Sequence, residues 1–377
     1  MLSVRRLLRA TLALYVVTSV VAAPQAGRSL RQAAGERWLI GGAVSAEDLD
    51  TPGMPELIRR EFNTITVETA LMPFKLAPAR DRFLFEPADR VVAWAEQHGL
   101  LVFGHMLLWD YKTPTWLFQD AQGKPLPREQ GLANLRHYIH TVLRHYRGRI
   151  LAWNVVNEAI SDEPGEYLRD TTARRSIGDD YIERAFAFAH EADPDVELYY
   201  NDYNVVIPEK RAKILKLVRS LRAQGRRVDT VGLQGHWLIG FPALEWIDDT
   251  IEAFAAEGFQ VRITEMDVDV LPRTVSGANM QTVEHGPNPF PDEFPPAEQA
   301  RLAARYGALF ERMLRHPAVK SITFWGSHDG RSWLNNYPVR GRTNHALLFD
   351  RQLQRKPAHT AVVEAFEAAR RVRSKQN

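Results

Sequence analysis

Hydrophobic and polar positions alternate along the chain in two rhythms. Short runs rich in β-branched and aromatic residues begin near Leu39, Thr64, Leu101, Ile150, Val196, Thr230, Gln260 and Ser321. Their length and composition predict strands. Between them, apolar residues recur at helical spacing over 87–98, 131–147, 181–192, 209–224, 246–257 and 296–316. Strands that alternate with amphipathic helices imply a parallel sheet, and eight such units imply its closure. The expected fold is α/β, a single-domain (β/α)8 TIM barrel. An open doubly wound sheet would require a glycine-rich phosphate turn after an early strand. The stretch GGAV at 41–44 lacks that spacing.

Two segments break the rhythm. Residues 1–26 carry Arg5, Arg6 and Arg9, then an apolar run ending in small residues, which is the pattern of a secretory signal peptide. The run is short for a membrane span, although an uncleaved N-terminal anchor is the alternative reading. Export to the periplasm or the medium is expected, with no membrane association once the signal is removed. Residues 27–36 read as a polar connector, followed by the barrel domain over 37–370. The second break, 271–296, holds six prolines with little apolar periodicity. Such a loop is either functional or a tolerated surface insertion.

Composition narrows the choices. A formal net charge of +2 gives no basic field for nucleic acid or an anionic membrane. The absence of cysteine excludes disulfides, thiolate chemistry and cysteine-type zinc sites. His105, Asp110, Asp202 and His236 have no HExxH-like ligand spacing, so neither a metal nor another cofactor is expected. A monomer is expected.

The chemistry concentrates in two strand-like stretches, WNVVNE at 153–158 and ITEMDVDV at 263–270. Each delivers a glutamate from an apolar strand, where an ionised carboxylate is costly to desolvate unless something uses it. Glu158 and Glu265 lie far apart in sequence, but a barrel brings the ends of distant strands to one mouth. They are the candidate catalytic pair. Asp267, two residues beyond Glu265 on the same strand, points to the same face.

Several further motifs stand in barrel order: GHMLLW at 104–109, TPTWL at 113–117, LYYNDYN at 198–204, LQGHW at 233–237 and TFWGSHDGRSW at 323–333. With LLFDRQLQRKPAH at 347–359 and the two glutamate stretches, the chain resembles the family 10 glycoside hydrolases, typified by endo-β-1,4-xylanases. The resemblance runs from about Trp38 to about Phe366. It implies a retaining mechanism with Glu158 as general acid/base and Glu265 as nucleophile. It also implies that His236 bonds Glu265 while Asp267 fixes the tautomer of His236. Asn157 would hold the sugar 2-hydroxyl, with Gln234 and His105 adding polar contacts. Trp109, Trp325 and Trp333 would wall the sugar site, with core packing as the alternative for each, and Tyr203 would face the leaving sugar. The implied partner is a β-linked polysaccharide of xylan type.

One motif departs from the family. The second strand usually reads ENEMK there, with Glu, Asn and Lys gripping sugars on the non-reducing side of the cut. Here it reads ETALM at 68–72: Glu68 matches, but Thr69 and Met72 replace the Asn and Lys. Beyond Trp109 the family's His and Gln are Asp110 and Lys112. Lost hydrogen bonds of this kind are worth roughly 1.5–3 kcal/mol each where a charge assists. Either Lys112 supplies the missing cation, or the site accepts another glycone, a decorated chain or a single sugar. Three readings follow: a xylan-cleaving hydrolase, a β-glycosidase of altered specificity, and a non-catalytic carbohydrate-binding protein. The last predicts damage at Glu158, Glu265, Asn157 or His236, and none is damaged.

Overall fold

A computed structural model describes residues 27–273 and 282–374; the proposed signal segment 1–26 and part of the proline-rich loop lie outside the described residues. The strands are β1 (Leu39–Val44), β2 (Thr64–Val67), β3 (Leu101–Gly104), β4 (Ala152–Asn157), β5 (Glu197–Asp202), β6 (Thr230–Leu233), β7 (His236–Leu238), β8 (Gln260–Asp269) and β9 (Val319–Phe324). All eight expected strands are present. β7 is a short addition that pairs His236–Leu238 with the far end of β8. β1 pairs in parallel with both β2 and β9, and β6 with β8, so the sheet closes into a (β/α)8 barrel.

The six helices expected from periodicity form at Glu86–Gln97, Arg128–His145, Tyr181–Ala192, Pro208–Ala223, Leu244–Ala256 and Pro296–Arg315. The last shows why spacing predicts them: Leu302, Tyr306, Leu309, Phe310 and Met313 are buried, three or four residues apart and hence on one face. Helices at Met54–Glu61, Thr172–Ile177 and Pro357–Ser374 were not read from the sequence. The first two are too short for a period to stand out.

The segment 27–36, expected to be a polar connector, contains a helix at Leu30–Ala34. Ser29 and Gln32 form a reciprocal capping box, and Leu30, Ala33 and Ala34 are fully buried. The described part of the proline-rich loop is also anchored. Val283 bridges to Val339, Asn288 accepts from the Thr343 N–H, and Phe294 stacks on His345 with centroids 4.5 Å apart.

Inside the barrel, at the amino ends of the strands, Arg262 makes a two-pronged pair with Glu197 (2.9 and 2.7 Å) and lies over Phe103. This plugs the end opposite the strand carboxyl termini. The first and last helices are joined by Glu61, which is fully buried. Its carboxylate accepts from the Leu30 N–H (3.0 Å), Arg60 (2.9 Å), Arg355 (2.8 Å) and His359 (3.0 Å). Burial raises its pKa, but the hydrogen bond and charge of His359 and the hydrogen bonds of Arg355 and the Leu30 N–H override this and bring it down to about 2. Because the folded value is depressed, the stabilisation is present above the ordinary glutamate range and lost as pH falls toward 2.

Substituting Glu61→Gln removes the buried negative charge and turns one of the two acceptor atoms facing Leu30, Arg355 and His359 into a donor. It is expected to lower stability by about 3–5 kcal/mol in urea denaturation at pH 7. The gap from the parent should shrink as the medium is acidified below the ordinary glutamate range. An unchanged midpoint would show that Glu61 is not a clamp.

Candidate active site

Glu158 directly follows β4 and Glu265 lies within β8, so both stand at the carboxyl-terminal mouth of the barrel. Glu158 adopts φ 56°, in the left-handed region, and its N–H donates to the Asn201 carbonyl (2.9 Å). Its two carboxylate oxygens have separate donors: Gln234 Nε2 at 2.7 Å and Trp109 Nε1 at 2.9 Å. Burial, the charge of Asp202 and the charge of Glu265 push its pKa up to about 7, against the Gln234 hydrogen bond and Arg169. Glu158 therefore holds a proton over much of the range where an ordinary glutamate is ionised.

Glu265 is shifted the other way. Burial raises it, but His105, His236 and the Asn201 hydrogen bond bring it below the ordinary value. Asn201 Nδ2 donates to Oε1 at 2.7 Å, and His236 Nε2 lies 3.3 Å from Oε2. Burial favours neutral His105, so the lasting positive charge beside Glu265 is that of His236. Burial opposes that charge, but the charge and hydrogen bond of Asp267, followed by Glu265, raise His236 to about 10. As an imidazolium it donates through Nδ1 to Asp267 Oδ2 (3.0 Å) and through Nε2 to Glu265. Trp333 Nε1 donates to the same Asp267 oxygen at 2.7 Å.

Asparagines link Glu265 to the end of β4, next to Glu158. Asn157 Oδ1 accepts from both Asn154 (3.0 Å) and Asn201 (2.9 Å). With its oxygen engaged, its Nδ2 is the end left for a ligand. Asn201 reaches Asn157 and Glu265 because Gly232 is its neighbour in register on β6. A Cβ at position 232 would lie 2.3 Å from Asn201 Oδ1. Asn201 was not singled out from the sequence, although it also ends an apolar strand with polar residues; Asp202 was weighed there only as a metal ligand, and here it is a negative neighbour of Glu158. Asp202 is itself buried and tied to Lys210 at 3.2 Å.

The other expected residues divide. His105 sits with Nδ1 3.9 Å from Glu265 and its ring 4.9 Å from Trp325. Trp333 lies 4.9 Å from His236 and stacks on Tyr337 at 4.7 Å; Tyr337 is an aromatic neighbour the sequence reading missed. Trp109 and Gln234 are committed to Glu158 through their N–H groups rather than pointing freely at a sugar. Tyr203 has its hydroxyl engaged by Asp162 and Arg169 and its ring flanked by Lys210 at 4.6 Å. Glu68 is half-buried at the β2 end. Burial raises its pKa, with Arg331 opposing and Asp48, Glu265 and Glu47 adding to the rise. Lys112 does not touch the carboxyl pair; its Nζ lies over the Phe74 ring, 5.5 Å from the centroid.

A family model described as Glycosyl hydrolase family 10 matches residues 29–365. Among similar proteins, endo-1,4-beta-xylanase A of Xylanibacter ruminicola is 38% identical, covering 92% of this chain and 96% of the relative. Endo-1,4-beta-xylanase B of Paenibacillus barcinonensis is 39% identical, covering 89% and 97%. A solved endoxylanase from a sugarcane soil metagenome superposes with a TM-score of 0.84 at 34% identity, covering 90% of this chain and 100% of its own. A mutant solved with xylotriose superposes at 0.81 and 32% identity, covering 90% and 100%.

The Glu158 proton can be followed directly by the carboxyl carbon shift of labelled glutamate. Its midpoint is expected near 7, and an Asp202→Asn variant, which removes a negative neighbour, should move it to lower pH. A midpoint in the ordinary glutamate range would refute this account of the site.

Proposed function

The chain belongs to glycosyl hydrolase family 10, and on that premise we propose that it hydrolyses β-1,4-xylosidic bonds in xylan or a related plant β-glycan. The observation that carries the reading is the opposite surroundings of two carboxyl groups at one barrel mouth: burial and Asp202 raise the pKa of Glu158, while His236 and the Asn201 hydrogen bond help lower that of Glu265. This is what a double displacement with retention requires.

In the first step the Glu265 carboxylate attacks the anomeric carbon while Glu158 gives its proton to the departing glycosidic oxygen. The sugar is left as an ester on Glu265. Forming that ester removes the negative charge that had helped hold the proton on Glu158. Glu158 then favours its ionised form, already supplied with donors by Gln234 and Trp109, and takes a proton from the water that releases the sugar. The free Nδ2 of Asn157 is available for the 2-hydroxyl, where a contact strengthens as the oxocarbenium character grows. Trp325, Trp333 and Tyr337 line the site with indole and phenol faces suited to sugar C–H surfaces. We also propose that residues 1–26 direct export. N-terminal sequencing of protein recovered outside the cytoplasm would then begin near Gly27, and an intact Met1 would contradict this.

Incubation with linear β-1,4-xylan is expected to yield short β-1,4-xylo-oligosaccharides, absent with Glu265→Ala. Glu158→Ala should lower turnover roughly 10²–10⁴-fold. The first product seen by NMR should be the β-anomer; an initial α-anomer would rule out double displacement. The kcat/KM profile should fall with rising pH through about 7 as Glu158 loses its proton. It should fall on the acid side only below the ordinary carboxylate range, as Glu265 gains one. Sugar binding without turnover on any β-glycan would sink the enzyme reading.

A further inference from the structure

The loop after β2 forms a pocket that the reaction described above does not use. It has a volume of about 400 Å³ and an apolar lining of Ala46, Ala70, Phe74, Pro78, Leu84 and Pro87. Phe74 is 39% and Leu84 41% exposed, so two large apolar side chains face the same solvent-filled space. The pocket is also firmly built. Leu76 beneath it is fully buried, the Leu84 N–H donates to its carbonyl at 2.7 Å, and Trp116 Nε1 donates to the Ala77 carbonyl at 2.8 Å.

The pocket adjoins the strand ends of the barrel mouth: Glu47 in its lining lies within electrostatic reach of Glu68. Thr69 and Ala70 in its wall directly follow Glu68, which lies within electrostatic reach of Glu265. Ala46 and Glu47 come from the loop after β1, and Lys112 leans over Phe74 from the turn after Trp109. That turn is held by Asp110, which accepts from the Thr172 N–H and hydroxyl at 2.8 Å. The three loops sit at the strand ends that carry the candidate reaction centre.

We propose that this pocket seats an aromatic acyl substituent, of the hydroxycinnamoyl ester type, carried by a side branch of a sugar bound at the β2 end of the groove. This rests on the reading that the groove hydrolyses a β-glycan. A flat ring matches the faces offered by Phe74, Leu84 and the two prolines. The Lys75 and Lys112 ammonium groups at the rim favour a π face and can donate to ester or phenol oxygens. A uronate fits less well: the Glu47 carboxylate in the lining, its pKa lowered by its backbone and Ser45 hydrogen bonds, offsets one of the two lysines, and the apolar walls offer a second sugar ring no hydrogen bonds. Thr69 and Met72, without the amide and the ammonium group that the family's Asn and Lys offer sugar hydroxyls, agree with recognition that has moved to a substituent.

The test compares three xylo-oligosaccharides of equal backbone length: one with a feruloylated arabinose branch, the same molecule after mild alkaline de-esterification, and one bearing a glucuronate branch. The parent protein is expected to cleave the esterified form with about tenfold higher kcat/KM than the de-esterified one. Phe74→Ala should erase that advantage while leaving cleavage of the de-esterified substrate within about twofold. Phe74→Leu, which keeps an apolar side chain but no ring, guards against a folding defect and should also lose most of the advantage. Equal rates on the two forms, an advantage that survives both substitutions, or a preference for the glucuronate form would each overturn the proposal. Calorimetry with Glu265→Ala separates the pocket from the reaction. Tighter binding of the esterified oligosaccharide that depends on Phe74 supports the pocket even if the parent cleaves nothing. Cleavage without ester preference leaves the hydrolase reading standing and removes this one.

Discussion

Two carboxyl groups of like charge at one barrel mouth cannot both be ionised cheaply in a desolvated site, and much of this structure follows from how that conflict is resolved. The resolution is a difference in surroundings. Glu265 is given a permanent cation, because Asp267 holds His236 as an imidazolium, and a neutral donor, Asn201. Glu158 is given burial and a negative neighbour, Asp202. Asn201 and Asp202 are consecutive residues at the end of β5, so one strand end supplies the donor that favours charge on Glu265 and the carboxylate that disfavours it on Glu158. Gly232 belongs to the same arrangement, since only a residue without Cβ leaves Asn201 room to reach both neighbours.

The barrel was legible because its strands are short, β-branched and separated by helices long enough to show a period. The candidate pair was legible because a glutamate at the end of WNVVNE, or inside ITEMDV, breaks an apolar run for no packing reason. The pairing of His236 with Asp267 could be expected because the two motifs were read together. What escaped was anything fixed by orientation rather than type. Trp109 and Gln234 were expected at the site, but a sequence does not say where an indole or amide N–H points, and both point at Glu158. The helix at Leu30–Ala34 escaped because five residues carry no period, even though Ser29 and Gln32 form its capping box.

Stability and specificity lie at different places in the molecule. Glu61 gathers groups from both ends of the described chain into one buried cluster, and the Arg262–Glu197 pair fills the barrel end away from the groove. With closure secured there, loops at the strand carboxyl ends can vary without threatening the fold. The ETALM segment illustrates this: two polar residues expected from the family are absent, yet β2 keeps its parallel register with β1 and β3.

The left-handed backbone at Glu158 has a consequence for the protein's history. A glutamate at φ 56° carries strain on the order of 1–3 kcal/mol, and its buried carboxyl adds a solvation penalty. Glycine or asparagine would sit there with less strain. A lineage that had ceased to use this side chain would be drawn by stability alone to exchange it, because the first step away relaxes the fold. Glutamate at 158 is a residue that folding by itself would discard.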